Sequence, residues 1–187
     1  ALASVVAALN RRPDAELLYC DEDKIDEDGH RFDPYFKPDW MPDLLTGHNY
    51  MCHFCVCRTD TVRKLGGWRT GFDGAQDWDL ELRIVEKVRS EQIVHLPEIL
   101  YHWRAIAGST ARAPGEKSYV VEAARRALAE HFSRIGERVE LIHLPGNHWR
   151  IKYAPPSPAP LVTLIIPTRN GRDLLQRCID SVFAKTT

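Results

Sequence analysis

An α/β fold is the expectation for this chain. Two short, almost wholly apolar runs, "ELLYC" at 16–20 and "LVTLIIP" at 161–167, read as buried strands, and each adjoins a segment of helical periodicity. Between them strand-like and helix-like stretches alternate, the pattern that builds a sheet covered by helices. A composition of 44% hydrophobic and 27% charged residues is that of a soluble globular protein.

The elements follow in order. Leu2, Val5, Val6 and Leu9 recur at helical spacing, and Pro13 follows the end of that helix. "ELLYC" runs directly into "DEDKIDEDG", in which Asp28-Gly29 is a turn signal. "RFDPYFKPDWMPD" is then a long loop whose aromatics argue against disorder, and ordered loops of such length are usually functional. "NYMCHFCVCR" reads as a strand, and "TDTVRKLGG" as a short helix capped by Thr59 or Asp60 and closed by its glycines. A further helix begins within "FDGAQDWDLELR" and continues to Val88. "QIVHLP" and "ILYHWR" are two short strands split by Pro97, and a longer helix covers 116–135. "RVELIHLPGNHWRIKY" forms a hairpin around Pro145-Gly146. The proline-rich "APPSPAP" at 154–160 is the clearest domain boundary, and "LVTLIIP" with the capped helix "NGRDLLQRCIDSVF" lies beyond it.

A formal net charge of −1 gives no global basic field, so nucleic acid is not an expected partner. No apolar run approaches the ~20 residues of a membrane helix. The opening "ALASVVAALN" lacks a positive n-region and continues into "RRPDAE", unlike a signal peptide. Five cysteines, an odd number without a framework spacing, read as reduced thiols in a cytoplasmic protein. The chain opens inside a helix without an initiator methionine and stops at "SVFAKTT", so both ends read as cut.

The helix start "FDGAQDWDLELR" places Asp77 and Asp79 around Trp78. Carboxylates in a first turn complement the helix dipole and cap free amides. The crowding of Gly71, Gly74, Gln76 and Trp78 at the same point allows a second reading, with Asp77 as a general base facing a cleft. The ordinary reading of Trp78 is a core residue anchoring the helix. Asp21, Glu22 and Asp23 end a buried strand, where open α/β sheets place ligand contacts, and an Asp-x-Asp pair there suits Mg²⁺ or Mn²⁺. A calcium loop fails: with Gly29 at position six, Lys24 and Tyr35 fall where acids are required. Cys52, Cys55 and Cys57 beside His53 lack a second cysteine pair for a structural zinc site, so buried thiols are expected, with Cys55 and Cys57 on one face.

"GFDGAQDWDLELR" followed by "HLPEILYHWRAIAGSTA" resembles the acceptor-side half of family 2 glycosyltransferases with the GT-A fold. "YCDEDKIDEDG", "DPYFKPDW", "NYMCHF" and "LGGWRTGF" are similar to the same group, as found in bacterial polysaccharide and O-antigen enzymes. "LVTLIIPTRNGRDLLQRCIDSV" resembles the family's N-terminal strand and helix. The resemblance implies an excerpt from a tandem-domain enzyme. Residues 1–153 would be the C-terminal part of one GT-A domain, a Rossmann-like nucleotide-diphospho-sugar transferase; 154–160 a linker; and 161–187 the first strand and helix of a second domain.

By the same resemblance, Asp77 removes the proton from an acceptor hydroxyl, with Gln76 where many relatives carry another acid. Trp78 is a platform for the C–H face of a sugar or, alternatively, a core tryptophan. Asp79 positions or contacts the acceptor, and Asp21 and Asp23 belong to a second acidic motif lining the cleft. His53 faces the acceptor. His102 is a metal ligand or, alternatively, a hydrogen-bonded strand histidine. Arg104, with Ser109 and Thr110, contacts the diphosphate, and Thr168 and Asn170 form the corner that reaches base and ribose. The implied reaction is an inverting, hexosyltransferase-like transfer. A sugar moves from a nucleotide-sugar donor to a glycan or lipid-linked glycan acceptor, with Mg²⁺ or Mn²⁺ held largely by an Asp-x-Asp upstream of Ala1. The isolated chain would then lack the donor site and be inactive. The parent would be cytoplasmic, with peripheral association at the inner membrane face. Two other readings stand beside it: a non-catalytic carbohydrate-binding or scaffolding module, and a metal-binding regulatory domain.

Overall fold

The computed structural model describes residues 1–106 and 118–185. In chain order the elements are α1 (Leu2–Arg11), β1 (Leu17–Ile25), β2 (Arg31–Tyr35), α2 (Pro42–Gly47), β3 (Cys55–Cys57), α3 (Thr59–Lys64), α4 (Gln76–Val85), β4 (Ile93–Arg104), α5 (Ser118–Ile135), β5 (Val139–Leu144), β6 (His148–Tyr153) and α6 (Arg172–Lys185). Two compact units result, Ala1–Ala154 and Pro155–Thr187.

The first unit is built around β1. One edge of β1 pairs in parallel with β4; the other is shared by β3, antiparallel to Leu17–Tyr19, and β2, antiparallel to its acidic end. A strand enclosed on both edges and both faces has to be apolar throughout, and Leu17, Leu18, Tyr19 and Cys20 are all buried. Their side chains alternate between two cores. Leu18 and Cys20 pack with Val5 and Ala8 of α1 and with Leu96. Leu17 and Tyr19 pack on the opposite face with Trp78 and Leu82 of α4, Ala124 and Leu128 of α5, and Trp149 of β6. Each large side chain so buried contributes about 1.5–3 kcal/mol, set against the entropy of ordering it. The mixed sheet with helices on both faces is an α/β arrangement. β5 and β6 form the expected hairpin, turning at Gly146 (φ 75°) and Asn147 (φ 55°).

Several local expectations are corrected. The two strands around Pro97 are one, because Cys20 pairs with Leu96 and Asp21 with Ile99, which leaves Pro97 and Glu98 in a bulge. A proline is tolerated there since no ladder donor is required of it. The expected strand over 49–58 is reduced to Cys55–Cys57; before it the chain is irregular and buries Tyr50 and Met51. The N-cap of α3 is Arg58, without a side-chain cap, rather than Thr59 or Asp60. Helix α4 ends at Val85, three residues early. In the second unit α6 forms, but 161–167 carries no strand pairing, and Leu161 is 95% exposed. Apolar sequence alone does not hold a strand; its backbone needs a paired neighbour.

Candidate functional site

Helix α4 begins where Gly74 turns the chain at φ 85°, and a Cβ there would meet Val120 Cγ2 of α5 at 2.6 Å. That close approach lets the first turn of α4 sit against α5. Within the turn, the three residues of the Asp-Trp-Asp triplet part ways. Asp77 is half-buried, lines a cleft of about 520 Å³, and accepts a hydrogen bond at Oδ1 from the Trp78 backbone N–H at 2.9 Å. The ring of Trp78 is 1% exposed, and its Nε1–H donates to the Leu45 carbonyl at 2.8 Å. It anchors the helix, and Trp78 is also among the residues lining the cleft.

Asp79 is fully buried. Its Oδ2 accepts from Arg83 Nη2 at 2.8 Å and from Arg69 Nε at 3.1 Å, and Oδ1 pairs with Arg69 Nη2. Both oxygens are therefore spent inside the protein. Asp79 ties α4 to the preceding loop and is not among the residues lining the cleft.

The three acids at the end of β1 also divide. Asp21 is buried, and its Oδ1 accepts from the Lys37 backbone N–H and lies 2.9 Å from His95 Nε2, which removes it from the cleft. Asp23 borders the cleft, but its oxygens are engaged by Arg31 Nε and His102 Nδ1, each at 2.5 Å. Burial raises the Asp23 pKa, yet the His102 and Arg31 hydrogen bonds outweigh it and hold the acid below its ordinary range. Glu22, the residue between them, is named with them from the sequence but is given no role of its own there. It lines the cleft, accepts from the His53 backbone N–H, and lies 3.4 Å from the buried Lys37 Nζ. Burial works against its charge, but the His53 hydrogen bond and the Lys37 ammonium prevail, so Glu22 is lowered. The signal was available, because alternation along a strand opposes Glu22 to both aspartates.

Lys37 itself is delivered by the aromatic loop, its Nζ donating to the Met51 and His53 carbonyls at 3.0 and 2.7 Å. His53 lines the cleft, stacked on Tyr101 and tilted against Trp103. At the other end, His48 and His148 stack at 4.5 Å, and burial followed by the His148 charge pushes His48 down to about 4. Behind the cleft, Glu81 is buried one turn after Asp77. Burial, then the charge of Asp77, pushes it up to about 8. The thiols of Cys52, Cys55 and Cys57 are free and raised chiefly by burial, which makes them poor metal ligands or nucleophiles.

The remaining expected residues lie apart. Arg104 is exposed at the end of β4, opposite Ile25, and is not among the residues lining the cleft. Ser109 and Thr110 fall outside the described residues. Thr168 and Asn170 are exposed in the second unit. For a divalent metal the donor set does not fit. Among the described residues, the one group of three clustered ligands is Asp26, Asp28 and His30, on the β1–β2 turn and outside the cleft. His102 has its Nδ1 committed to Asp23. Another concavity of about 450 Å³, between α5 and β5, is lined mainly by apolar side chains with Glu137 and Arg138, and holds no comparable set of acids.

No protein-family model matches the chain. It is 43% identical over 187 residues to the uncharacterised protein y4gI of Sinorhizobium fredii. It is 42% identical over 186 residues to the O-antigen biosynthesis protein RfbC of Myxococcus xanthus. The whole chain is covered in both alignments, but it spans only 21% and 14% of the lengths of these two relatives.

Proposed function

We propose that this chain is the acceptor-side part of a glycosyltransferase that builds a bacterial cell-surface polysaccharide. Its likeness to an O-antigen biosynthesis protein supports the pathway, and the cleft supports the chemistry. The observation that carries the reading is Asp77, a carboxylate in the first turn of α4 opening onto a cleft whose other acids are held by partners. In this reading Asp77 takes the proton of an acceptor hydroxyl as that oxygen attacks the anomeric carbon of a nucleotide-diphospho sugar. The bond to the diphosphate breaks, and the nucleoside diphosphate leaves with inversion. A carboxylate near a helix N-terminus is suited to general-base work. Any Mg²⁺ or Mn²⁺ bound to the donor diphosphate would take its ligands from beyond the described residues. The fold assigned by this proposal is GT-A, with a second such domain opening after the proline-rich linker.

The test is sugar transfer by the full-length protein from radiolabelled nucleotide sugars to a glycan or lipid-linked glycan. Asp77→Asn lowers turnover on the order of 10²–10⁴-fold, with donor affinity little changed. Near-wild-type turnover in that variant removes Asp77 from the base role. Glycan binding without consumption of any nucleotide sugar leaves a carbohydrate-binding module instead.

A further inference from the structure

The cleft has one wall that the reaction above does not use. Tyr101 and Trp103 stand two residues apart on β4, hence on the same face of the strand. His53 packs against both: its ring is parallel to Tyr101 at 5.1 Å and tilted 47° to Trp103 at 4.9 Å. The indole of Trp103 is thereby held in place, and the half-buried residue lines the cleft. Asn49 lines the same cleft, and its Oδ1 is buried without a hydrogen-bond partner among the described residues. Buried acceptors are nearly always satisfied, so an unmet one in the wall of a cleft that Trp103 also lines points to a donor arriving with a ligand.

We propose that a pyranose ring of the acceptor stacks its C–H face on Trp103, with Asn49 Oδ1 accepting from one of its hydroxyls. This rests on the polysaccharide reading of the site and names the subsite it leaves open. A flat nucleobase also stacks on indole, but the lining opposes a nucleotide. Glu22, Asp23, Asp33 and Asp77 all face the cleft, while Lys24 is the only lysine or arginine among its lining residues. Glu22, Asp23 and Asp33 are paired with Lys37, Arg31 and Lys24, whereas Asp77 has no cation partner among the described residues. Its carboxylate repels phosphates and accepts hydrogen bonds from hydroxyls, a pattern complementary to a neutral polyol.

The experiment is a titration of the full-length protein with methyl α-D-mannopyranoside, methyl α-D-glucopyranoside and methyl α-L-rhamnopyranoside without donor, followed by saturation-transfer NMR. Trp103→Ala weakens binding of the preferred glycoside on the order of tenfold, Trp103→Phe restores part of it, and Asn49→Ala weakens it further. Trp68→Ala, at a tryptophan 71% exposed, serves as the unaffected control. Unchanged binding in Trp103→Ala, or no binding by any of the three glycosides, overturns the proposal. So does UDP binding that is lost with Trp103. Failure of the two readings is separable. Glycoside binding through Trp103 without sugar transfer defeats the transferase reading alone. Transfer that depends on Asp77 with an unchanged acceptor KM in Trp103→Phe and Trp103→Ala defeats only the stacking.

Discussion

Asp79→Asn separates an architectural acid from a ligand contact. The wild-type carboxylate is fully buried between two guanidiniums. Asparagine keeps the shape but removes the charge, and its NH₂ must then face an Arg donor. Breaking a buried ion pair by neutralising one partner costs about 3–5 kcal/mol. Here the loss is cushioned on both sides. Arg83 keeps the Leu65 and Gly67 carbonyls at 2.8 and 2.7 Å, and Arg69 keeps Glu130 at 2.8 Å. The cost therefore falls at the low end, about 3 kcal/mol, or roughly 6–12 °C in Tm for a unit of this size. Thermal and urea unfolding of the full-length variant measure it. Because Arg69 and Arg83 hold the loop that leads into α4, turnover declines together with stability while acceptor KM changes less. An unchanged Tm with a selectively raised acceptor KM would refute this and return Asp79 to the binding site.

Two further outcomes concern buried acids with displaced pKa values. Glu86, bound by His131 and Arg134, has its pKa lowered to about 2; burial alone would raise it, but the His131 and Arg134 hydrogen bonds dominate. A depressed carboxylate stabilises above its ordinary pKa near 4.5 and loses that contribution as pH falls toward 2. Glu86→Gln is thus about 2–3 kcal/mol less stable than wild type at pH 7, with the gap less than half as large at pH 3. Equal gaps at both values in urea titrations refute the pairing. Glu81, pushed up to about 8 by burial and then by Asp77, works in the opposite sense. Its unfolded form ionises first, so wild-type stability declines between about pH 4.5 and 8. Glu81→Gln flattens that decline, and parallel pH–stability curves for the two proteins would show that Glu81 is not held neutral.

Much of the frame could be read from local pattern. The apolar run of β1 demanded burial on both faces, Pro145-Gly146 demanded a hairpin turn, and Gly74 marked the start of α4; each of these signals acts over a few residues. What local pattern cannot supply is the identity of a partner distant in sequence. Asp21 meets His95, and Asp23 meets His102, across the parallel pairing of β1 with β4. Asp79 is spent on Arg69 and Arg83, leaving Asp77 at the cleft. A carboxylate has the same chemistry in the sequence whether it will face solvent, a ligand or a guanidinium. Only the packing of strands and helices determines which of those neighbours desolvates it. The same holds for the two tryptophans that border the cleft: helical phase buries Trp78 against Leu45, while Trp103, at the far end of β4, stays half-buried. Sequence determined that acids and aromatics gather at these two strand and helix ends; tertiary structure decided which of them are free to bind, because burial and pairing are properties of neighbours rather than of residues.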